Sequence, residues 1–280
     1  MIDPNKLGDP RDLWDRVGRQ AERALAEGVL HRIETDARTI EDSGVAFVVR
    51  RATQLKSKDA AGEKATDDPF ARPEPALFVA DLSPSHFALL NKYNVIERHL
   101  LVVTRTNVDQ DAPLDASDFE ALAICMADEP VLGFYNGGAD AGASQPHKHL
   151  QVVPLPLSRE GAIPIEALVE HGTMARLPVL HAFTRLDNEA DAAKRARTLL
   201  LRYRELRSAV HLGSRPYNLL VAQDWMLLVP RSRASFGSIP VNSLAFAGAL
   251  FVRGDEDLRT VERLGPMAVL RGVAFPKDPS

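Results

Sequence analysis

The stretch FYNGGADAGASQPHKHLQVVP, from Phe134 to Pro154, decides the fold and carries the most concentrated polar chemistry of the chain. It joins the end of one predicted strand to a second strand through a loop of small residues. Along the second strand His147, His149 and Gln151 occupy alternate positions, so a period of two places their side chains on one face. Two imidazoles and an amide in a row are not ordinary core, and this face is therefore a candidate site.

The loop before this strand leaves its backbone almost uncovered. Glycine permits positive φ, so successive N–H groups can turn inward and bind an anion. Such an anion would lie beside the imidazoles, where His149 could act as a nucleophile on a phosphate while its neighbours fix its tautomer and hold the oxyanion. The small and polar residues of the loop are Asn136, Gly137, Gly138, Gly142, Ala143 and Ser144.

The composition is that of a globular protein with a substantial core. The chain has 280 residues, of which 45% are hydrophobic. A formal net charge of −4 with interspersed signs argues against nucleic-acid binding, which normally needs a basic face. The single cysteine, Cys125, excludes an internal disulfide and a multi-cysteine zinc site, as expected in a reducing compartment.

No segment is typical of a signal peptide or of a membrane span. The N-terminal residues MIDPNKLGDPRDLW lack an apolar core, and the longest apolar run, Leu244 to Val252, is too short to cross a bilayer. We therefore expect a soluble protein of the cytoplasm, with anionic small molecules as ligands and without a membrane partner.

Apolar periodicity and turn residues predict a mixture of helices and short strands. Two apolar runs that flank Gln223 and Asp224 predict the clearest hairpin. Predicted helices cover about 11–33, 115–126, 165–170, 189–212, 255–264 and 266–273, and another starts at Ser243 at the head of the apolar run to Val252. Predicted strands cover about 45–49, 76–80, 99–103, 131–136, 146–154, 217–222 and 225–229.

Several motifs resemble one family of nucleotide enzymes. The run SQPHKHLQ, from Ser144 to Gln151, resembles the histidine-triad superfamily in the branch that has glutamine as the third residue, which includes galactose-1-phosphate uridylyltransferase. Three further segments narrow the resemblance to one family within this branch: LLNKYNV at 89–95, YNLL at 217–220 and DWMLLVPR at 224–231. Together they resemble the diadenosine tetraphosphate phosphorylase family, also called ATP adenylyltransferase.

The resemblance implies a covalent reaction in two steps. His149 attacks the α-phosphate of diadenosine tetraphosphate and ATP leaves, after which inorganic phosphate takes the AMP from the imidazole and forms ADP. By this resemblance His147 orients His149 and the phosphate, and Gln151 hydrogen-bonds a phosphate oxygen. A carboxamide cannot titrate, so Gln151 adds no proton donor or base, and phosphate rather than water is the expected acceptor.

Other substrate contacts follow from the same resemblance. Asn91 matches a ligand of the ribose hydroxyls, and its amide has suitable donors and acceptors. A tetraphosphate needs several cations to offset its desolvation. Asp68 stands where the family pattern has asparagine before Pro-Phe, which leaves that segment without an assigned role. The expected contacts of the phosphates are Asn136, Gly142, Ser144 and Gln145 in the loop, and the lysines Lys56, Lys58 and Lys92.

The resemblance also implies an α+β fold of the histidine-triad, uridylyltransferase-like kind, in which helices pack on a mostly antiparallel sheet. We expect a nucleotidyl-transfer domain over residues 1–185 and an ATP adenylyltransferase-type region over 186–280 that packs on the same sheet. The expected partners are diadenosine tetraphosphate, ATP, ADP and phosphate. No tightly bound cofactor is expected, although a divalent cation such as Mg²⁺ can arrive with the polyphosphate.

Three alternatives stay open on the sequence. A His-x-His strand can supply two ligands of a catalytic zinc ion, with the third from His86, His99 or a carboxylate, although both of these histidines are better explained as structural. A sugar-phosphate nucleotidyltransferase shares the same strand motif. A nucleotide-binding sensor without turnover is the alternative outside the enzymes, and the oligomeric state is open.

Overall fold

The computed structural model describes residues 12–53, 68–159, 162–187 and 189–277. The helices within these ranges are α1 (Leu13–Ala26), α2 (Ala116–Cys125), α3 (Glu166–Glu170), α4 (Ala192–Ala209), α5 (Ser243–Phe246), α6 (Asp255–Leu264) and α7 (Pro266–Arg271). The strands are β1 (His31–Arg32), β2 (Thr35–Asp42), β3 (Val45–Ala52), β4 (Phe78–Asp81), β5 (His86–Leu90), β6 (Tyr93–Asn94), β7 (Leu100–Thr104), β8 (Val131–Gly137), β9 (His149–Pro154), β10 (Ala182–Arg185), β11 (Tyr217–Val221), β12 (Trp225–Pro230), β13 (Ser235–Phe236), β14 (Ile239–Pro240) and β15 (Ala249–Val252).

One eight-stranded antiparallel sheet organises the molecule, in the order β10-β12-β11-β8-β9-β7-β5-β4. The strands β11 and β12, from the C-terminal part of the chain, pair next to β8 within this sheet. Three smaller sheets are formed by β15-β3-β2, β1-β6 and β13-β14. The α+β class and the mostly antiparallel sheet are thus confirmed, as is the hairpin around Gln223 and Asp224. The expected domain boundary at residue 185 stays a prediction.

Apolar clusters cover both faces of the large sheet. Successive side chains of a strand point to opposite faces, so neighbouring residues belong to different clusters. Leu150 and Val152 of β9 pack in the apolar cluster that includes α1, α2 and α4. Val153 points the other way and packs with residues of β3, α6 and α7. His149 and Gln151 therefore lie on the face opposite α2, where the candidate site forms.

The predicted helix that continues from Ser243 through the apolar run is wrong. The helix α5 ends at Phe246, and Ala249–Val252 is the strand β15, which pairs in parallel with β3. Gly248 between them has φ +93°, and a Cβ there would lie 2.6 Å from the Cβ of Pro164, so the chain turns at a position that only glycine fits. A short apolar run does not distinguish a buried strand from a helix.

The N-terminal boundaries also need correction. The helix predicted over 11–33 ends at Ala26, because Gly28 takes the left-handed conformation with φ +69° and the chain then enters β1. The strand β2 was missed, because its sequence, TDARTIED, is mostly polar and its residues are exposed or half-buried. The strand predicted over 76–80 begins at Phe78, after a 3-10 turn over Pro75–Leu77.

Two helix starts follow directly from the sequence. The Asp115 carboxylate accepts hydrogen bonds from the backbone of residues 117 and 118, and the Asp118 side chain accepts one from the backbone of Asp115, which is a capping box. Asp191 caps α4 by accepting from the backbone of Lys194. Within the described residues no helix is both long and apolar enough to cross a membrane.

Candidate active site

His149 opens β9 with its ring buried and its tautomer fixed by the chain. Its side chain is 3% exposed, and its Nδ1 lies 2.9 Å from the carbonyl oxygen of His147. Because a carbonyl oxygen can only accept, Nδ1 carries the proton and the lone pair is on Nε2. Burial lowers the pKa of His149 to about 4, although the hydrogen bond to the His147 carbonyl opposes that shift. At neutral pH the ring is therefore uncharged, with a lone pair on Nε2 that is available for nucleophilic attack.

His147 lies two residues earlier, just before β9, and both of its ring nitrogens are engaged. Its Nε2 is 2.8 Å from the carbonyl oxygen and 2.9 Å from the hydroxyl oxygen of Thr104. Its Nδ1 is 2.6 Å from Oδ2 of Asp68. With no free lone pair His147 cannot compete as nucleophile, whereas its carbonyl fixes the ring of His149.

Asp68, Pro69 and Phe70 cover the two histidines. Oδ1 of Asp68 accepts a hydrogen bond of 2.9 Å from the Phe70 backbone, which turns the segment toward the site. The Phe70 ring lies 5.6 Å from the His147 ring and 5.2 Å from the His149 ring, between centroids. The sequence left this segment without a role, and the fold places it over the site. A carboxylate at position 68 can accept from an imidazole, which explains how it fits there.

Gln151 is oriented by His99, which lies beside it at the head of β7. Nε2 of His99 is 2.9 Å from Oε1 of Gln151, and its Nδ1 is 3.1 Å from Nδ2 of Asn91. Burial lowers the pKa of His99 to about 4, so the neutral ring donates to Gln151 and accepts from Asn91. This leaves the NH2 group of Gln151 and the carbonyl oxygen of Asn91 for a ligand.

Asn136 is oriented in the same way from the C-terminal part of the chain. Its Oδ1 accepts from Nδ2 of Asn218 at 3.0 Å, from the backbone of Ser243 at 2.9 Å and from the Ser243 hydroxyl at 2.7 Å. Arg231, which is 1% exposed, donates to Oδ1 of Asn218 and fixes that amide in turn. The NH2 group of Asn136 donates to no described residue. It can therefore donate a hydrogen bond to a phosphate oxygen.

The loop between β8 and β9 is compact at one end and open at the other. Gly142 has φ +89°, and a Cβ there would meet the Val241 carbonyl oxygen at 2.5 Å. Ser144 is exposed and Gln145 is half-exposed, and their backbone N–H groups donate to no acceptor in the described ranges. These open amides are what an anion-binding loop requires.

Of the three predicted lysines, the structure describes Lys92. Nζ of Lys92 lies 2.7 Å from Oε1 of Glu74, so in this structure its charge is paired. Lys56 and Lys58 lie outside the described residues. The role of these three lysines as phosphate contacts stays a prediction.

The part of the chain that the structure describes offers the zinc alternative no third ligand near the strand. Among the described residues no three His, Cys, Asp or Glu side chains are grouped to hold a metal ion. His99 is occupied by Gln151, and His86 lies 3.0 Å from Asp118, which also pairs with Lys148 at 3.0 Å. His86, Asp118 and Lys148 are all buried, and they form a polar cluster on the side of β9 opposite the His149 ring.

The sequence predicts His147, His149, Gln151 and the loop as site residues, but not the side chains that orient them in the structure. His99 was assigned only a structural role, and Asn218 and Ser243 were not assigned to the site. Their partners are far away in sequence, as Asn218 and Asn136 illustrate, so no local spacing signals the contact. A buried neutral imidazole, a loop with open backbone amides and two oriented side-chain amides on an antiparallel sheet fit the class of nucleotidyltransferases.

Comparison with known proteins agrees with this class. The profile described as the Ap4A phosphorylase N-terminal domain matches residues 3–171, and that of the ATP adenylyltransferase C-terminal domain matches residues 175–276. The chain belongs to the Ap4A phosphorylase family, where Ap4A is diadenosine tetraphosphate.

Relatives from yeast cover most of the chain. Diadenosine 5',5'''-P1,P4-tetraphosphate phosphorylase 2 of Saccharomyces cerevisiae is 28% identical over 269 residues, with 81% of each chain covered. Protein APA1 of the same organism is 24% identical and covers 88% of each chain. The crystal structure of yeast Ap4A phosphorylase Apa2 in complex with Ap4A superposes with a TM-score of 0.80 over 100% of both chains, at 23% identity.

Proposed function

We propose that this enzyme phosphorolyses Ap4A to ATP and ADP through a covalent AMP-histidine at His149. The observation that carries the proposal is the neutral, buried ring of His149, whose only proton is held by the His147 carbonyl. Family membership and the yeast relatives support the choice of Ap4A over other phosphate esters.

The first step forms one bond and breaks one. Nε2 of His149 attacks the α-phosphorus of Ap4A, the bond from that phosphorus to the bridging oxygen breaks, and ATP leaves with the electron pair. The NH2 groups of Asn136 and Gln151 and the open amides of the loop stabilise the charge that develops on the phosphoryl oxygens. In the second step an oxygen of inorganic phosphate attacks the same phosphorus, the P–N bond breaks, and ADP is released.

Gln151 is the residue that favours phosphate over water as the acceptor. Its carbonyl oxygen is bound by His99, so the amide can only donate toward the substrate. It cannot accept a proton from water, whereas phosphate dianion is a nucleophile without deprotonation.

The setting of the reaction is part of the proposal. We place the enzyme in the cytoplasm, which is compatible with a single cysteine that is free and buried. Mg²⁺ would enter with the polyphosphate and neutralise part of its charge, because Mg²⁺ commonly binds phosphates with few protein ligands.

The side-chain carbonyl of Asn91 would bind a ribose hydroxyl of the substrate.

The products decide between this proposal and its rivals. Purified protein with Ap4A and phosphate should yield ATP and ADP, and without phosphate it should stall after one turnover as an acid-labile adenylyl-protein. His149→Ala should form no adenylyl-protein. His171→Ala is the matched control, because His171 is exposed at the end of α3. ATP plus AMP as products would indicate a hydrolase, and binding without turnover would indicate a sensor; either result would reject the proposal.

A further inference from the structure

The pairing between β8 and β9 stops where the candidate site begins. In the register of these strands Phe134 faces Gln151, and two positions further along, on the same face of the sheet, Asn136 would face His149. These two do not form a ladder pair, and the side-chain amide of Gln110 takes their place. Oε1 of Gln110 accepts from the His149 backbone at 2.7 Å, and its Nε2 donates to the carbonyls of Asn136 at 2.9 Å and His149 at 3.1 Å.

The segment that carries Gln110 is anchored in the same gap. The backbone of Gln110 donates to Pro146 at 2.7 Å, and the backbone of Lys148 donates to Val108 at 2.7 Å. The Tyr135 hydroxyl donates to the Gln110 carbonyl oxygen. Gln110 is 3% exposed, so the amide is held from both ends and has no freedom to leave.

An inserted amide changes the distance between two strands. Facing residues of an ordinary antiparallel pair have Cα atoms about 4.5–5.5 Å apart, with one hydrogen bond of about 2.9 Å between the backbones. At Asn136 and His149 the bridge is two hydrogen bonds with the amide between them. The backbones must therefore be farther apart here than in the paired part of β8 and β9.

We propose that Gln110 is a positioning residue that holds β8 and β9 apart, so that the transferred phosphoryl group fits between the Asn136 amide and the His149 ring. The inference rests on the proposed function for the identity of that group. Closing the gap would bring the two side chains together, because directly facing residues share one face of a sheet. A gap of this kind is of no use to the core, and it lies at the nucleophile.

Two variants of Gln110 separate spacing from simple loss of stability. Gln110→Met keeps the length of the side chain but cannot hydrogen-bond, and Gln110→Asn keeps the amide but is one methylene too short to reach both strands. The matched control is Gln223→Met, because Nε2 of Gln223 also donates to two backbone carbonyls, those of Met126 and Glu129, away from the histidines.

The expected result is a split between rate and binding. In single turnover without phosphate, both Gln110 variants should adenylylate His149 at least about tenfold more slowly, as expected for a displacement near 1 Å, while KM for Ap4A changes less than threefold. Crystal structures of both variants should show shorter Cα distances between Asn136 and His149. Gln223→Met should keep the wild-type rate.

Two outcomes would overturn the inference. One is a Cα distance between Asn136 and His149 that is the same in wild type and in both Gln110 variants. The other is a rate loss no greater than that of Gln223→Met at equal melting temperature. If wild-type protein never forms an adenylyl-histidine, the proposed function fails, whereas the crystallographic comparison still decides whether Gln110 separates the strands.

Discussion

At the scale of single residues, two histidines of one motif differ because different atoms surround them. His149 has one nitrogen bound by a carbonyl and the other free, while His147 has Asp68 on one side and Thr104 on the other. The motif HKH alone does not say which ring reacts. The resemblance assigned the attack to His149, and the hydrogen bonds give the physical reason.

The pH dependence of the first step follows from the lowered pKa of His149. A histidine with a folded pKa of about 4 is neutral above that value, so lowering the pH from 8 to 5 should not protonate the His149 ring. We expect the single-turnover rate of adenylylation without phosphate to be flat over that range and to fall only as the pH approaches 4. An inflection near 6.5 that is absent from substrate binding would show that the ring is solvated.

The lowered pKa values of His149 and His99 also predict how the stability of the fold depends on pH. In the unfolded chain His149 and His99 titrate near 6.5, whereas in the fold both titrate near 4. Between those values the unfolded state binds more protons, so the free energy of unfolding falls as the pH is lowered through this window. Rates below pH 5 therefore need a check by circular dichroism that the protein is still folded.

How far the residues could be predicted depends on whether their partners are local. His149, Gln151 and the loop follow from a period of two and from glycine, which are local properties. Gln110 gives no such signal, because its amide contacts the backbones of Asn136 and His149, and no spacing in the sequence relates a side chain to a distant backbone. The sequence showed Asp68 only as a departure from the family pattern, which has asparagine there, and gave no sign of its contact with His147.

At the scale of elements, the loop between β8 and β9 depends on one glycine. Gly142 combines a left-handed φ of +89° with a contact of 2.5 Å between a built Cβ and the Val241 carbonyl oxygen. Both features disfavour any side chain, so the loop can lie against Val241 only with glycine at this position. Its open end, with the amides of Ser144 and Gln145, is held in place by this contact.

Gly142→Ala tests this element. The substitution should lower the free energy of unfolding by about 1–3 kcal/mol through backbone strain and overlap, and it should weaken phosphate-dependent turnover because the loop is displaced. Gly18→Ala is the matched control: nothing lies within 4 Å of its added Cβ, and it lies inside α1. That control should be neutral or stabilising by about 0.5–1 kcal/mol. Equal stability of the two variants by urea unfolding would contradict the contact at Val241.

Helices and strands could be predicted where the sequence pattern is long or the turn residues are clear. They could not be predicted where tertiary contacts decide between helix and strand. The helix α4 and the hairpin of β11 and β12 follow from composition and turn residues. The strand β15 has an apolar sequence that is equally compatible with a helix, and its parallel neighbour β3 is some 200 residues away, a separation that no local signal spans. The polar strand β2 is an edge strand that gains its structure from pairing with β3.

At the scale of the whole molecule, C-terminal residues orient a side chain beside the proposed nucleophile, which lies in the N-terminal part. The strand β11 pairs with β8, so Asn218 faces Asn136 across the sheet, and Ser243 approaches the same amide from α5. A C-terminal region that only packed on the outside could not orient Asn136. If His149 reacts as proposed, the integrity of residues 217–243 should therefore affect the rate at that ring.

Arg231 is the residue through which this coupling can be tested. Its guanidinium is buried and donates to the carbonyls of Ala141, Arg233, Val241 and Val273 and to the Asn218 side chain. Burial lowers its pKa to about 10, so it stays charged at neutral pH, and the five acceptors offset the cost of its desolvation.

Removing the guanidinium should affect stability and catalysis together. Arg231→Met leaves several buried acceptors unpaired, at a cost of roughly 1–3 kcal/mol for each that finds no water, so we expect a loss of at least about 3 kcal/mol in urea unfolding. Adenylylation of His149 should also slow under conditions where the variant is folded, because the Asn218 amide that holds Asn136 is released. Arg38→Met is the control, since Arg38 pairs with Glu262 at the exposed surface, where such pairs contribute little. If the Arg231 variant were unstable but reacted at the wild-type rate when folded, the C-terminal region would stabilise the sheet without positioning the site.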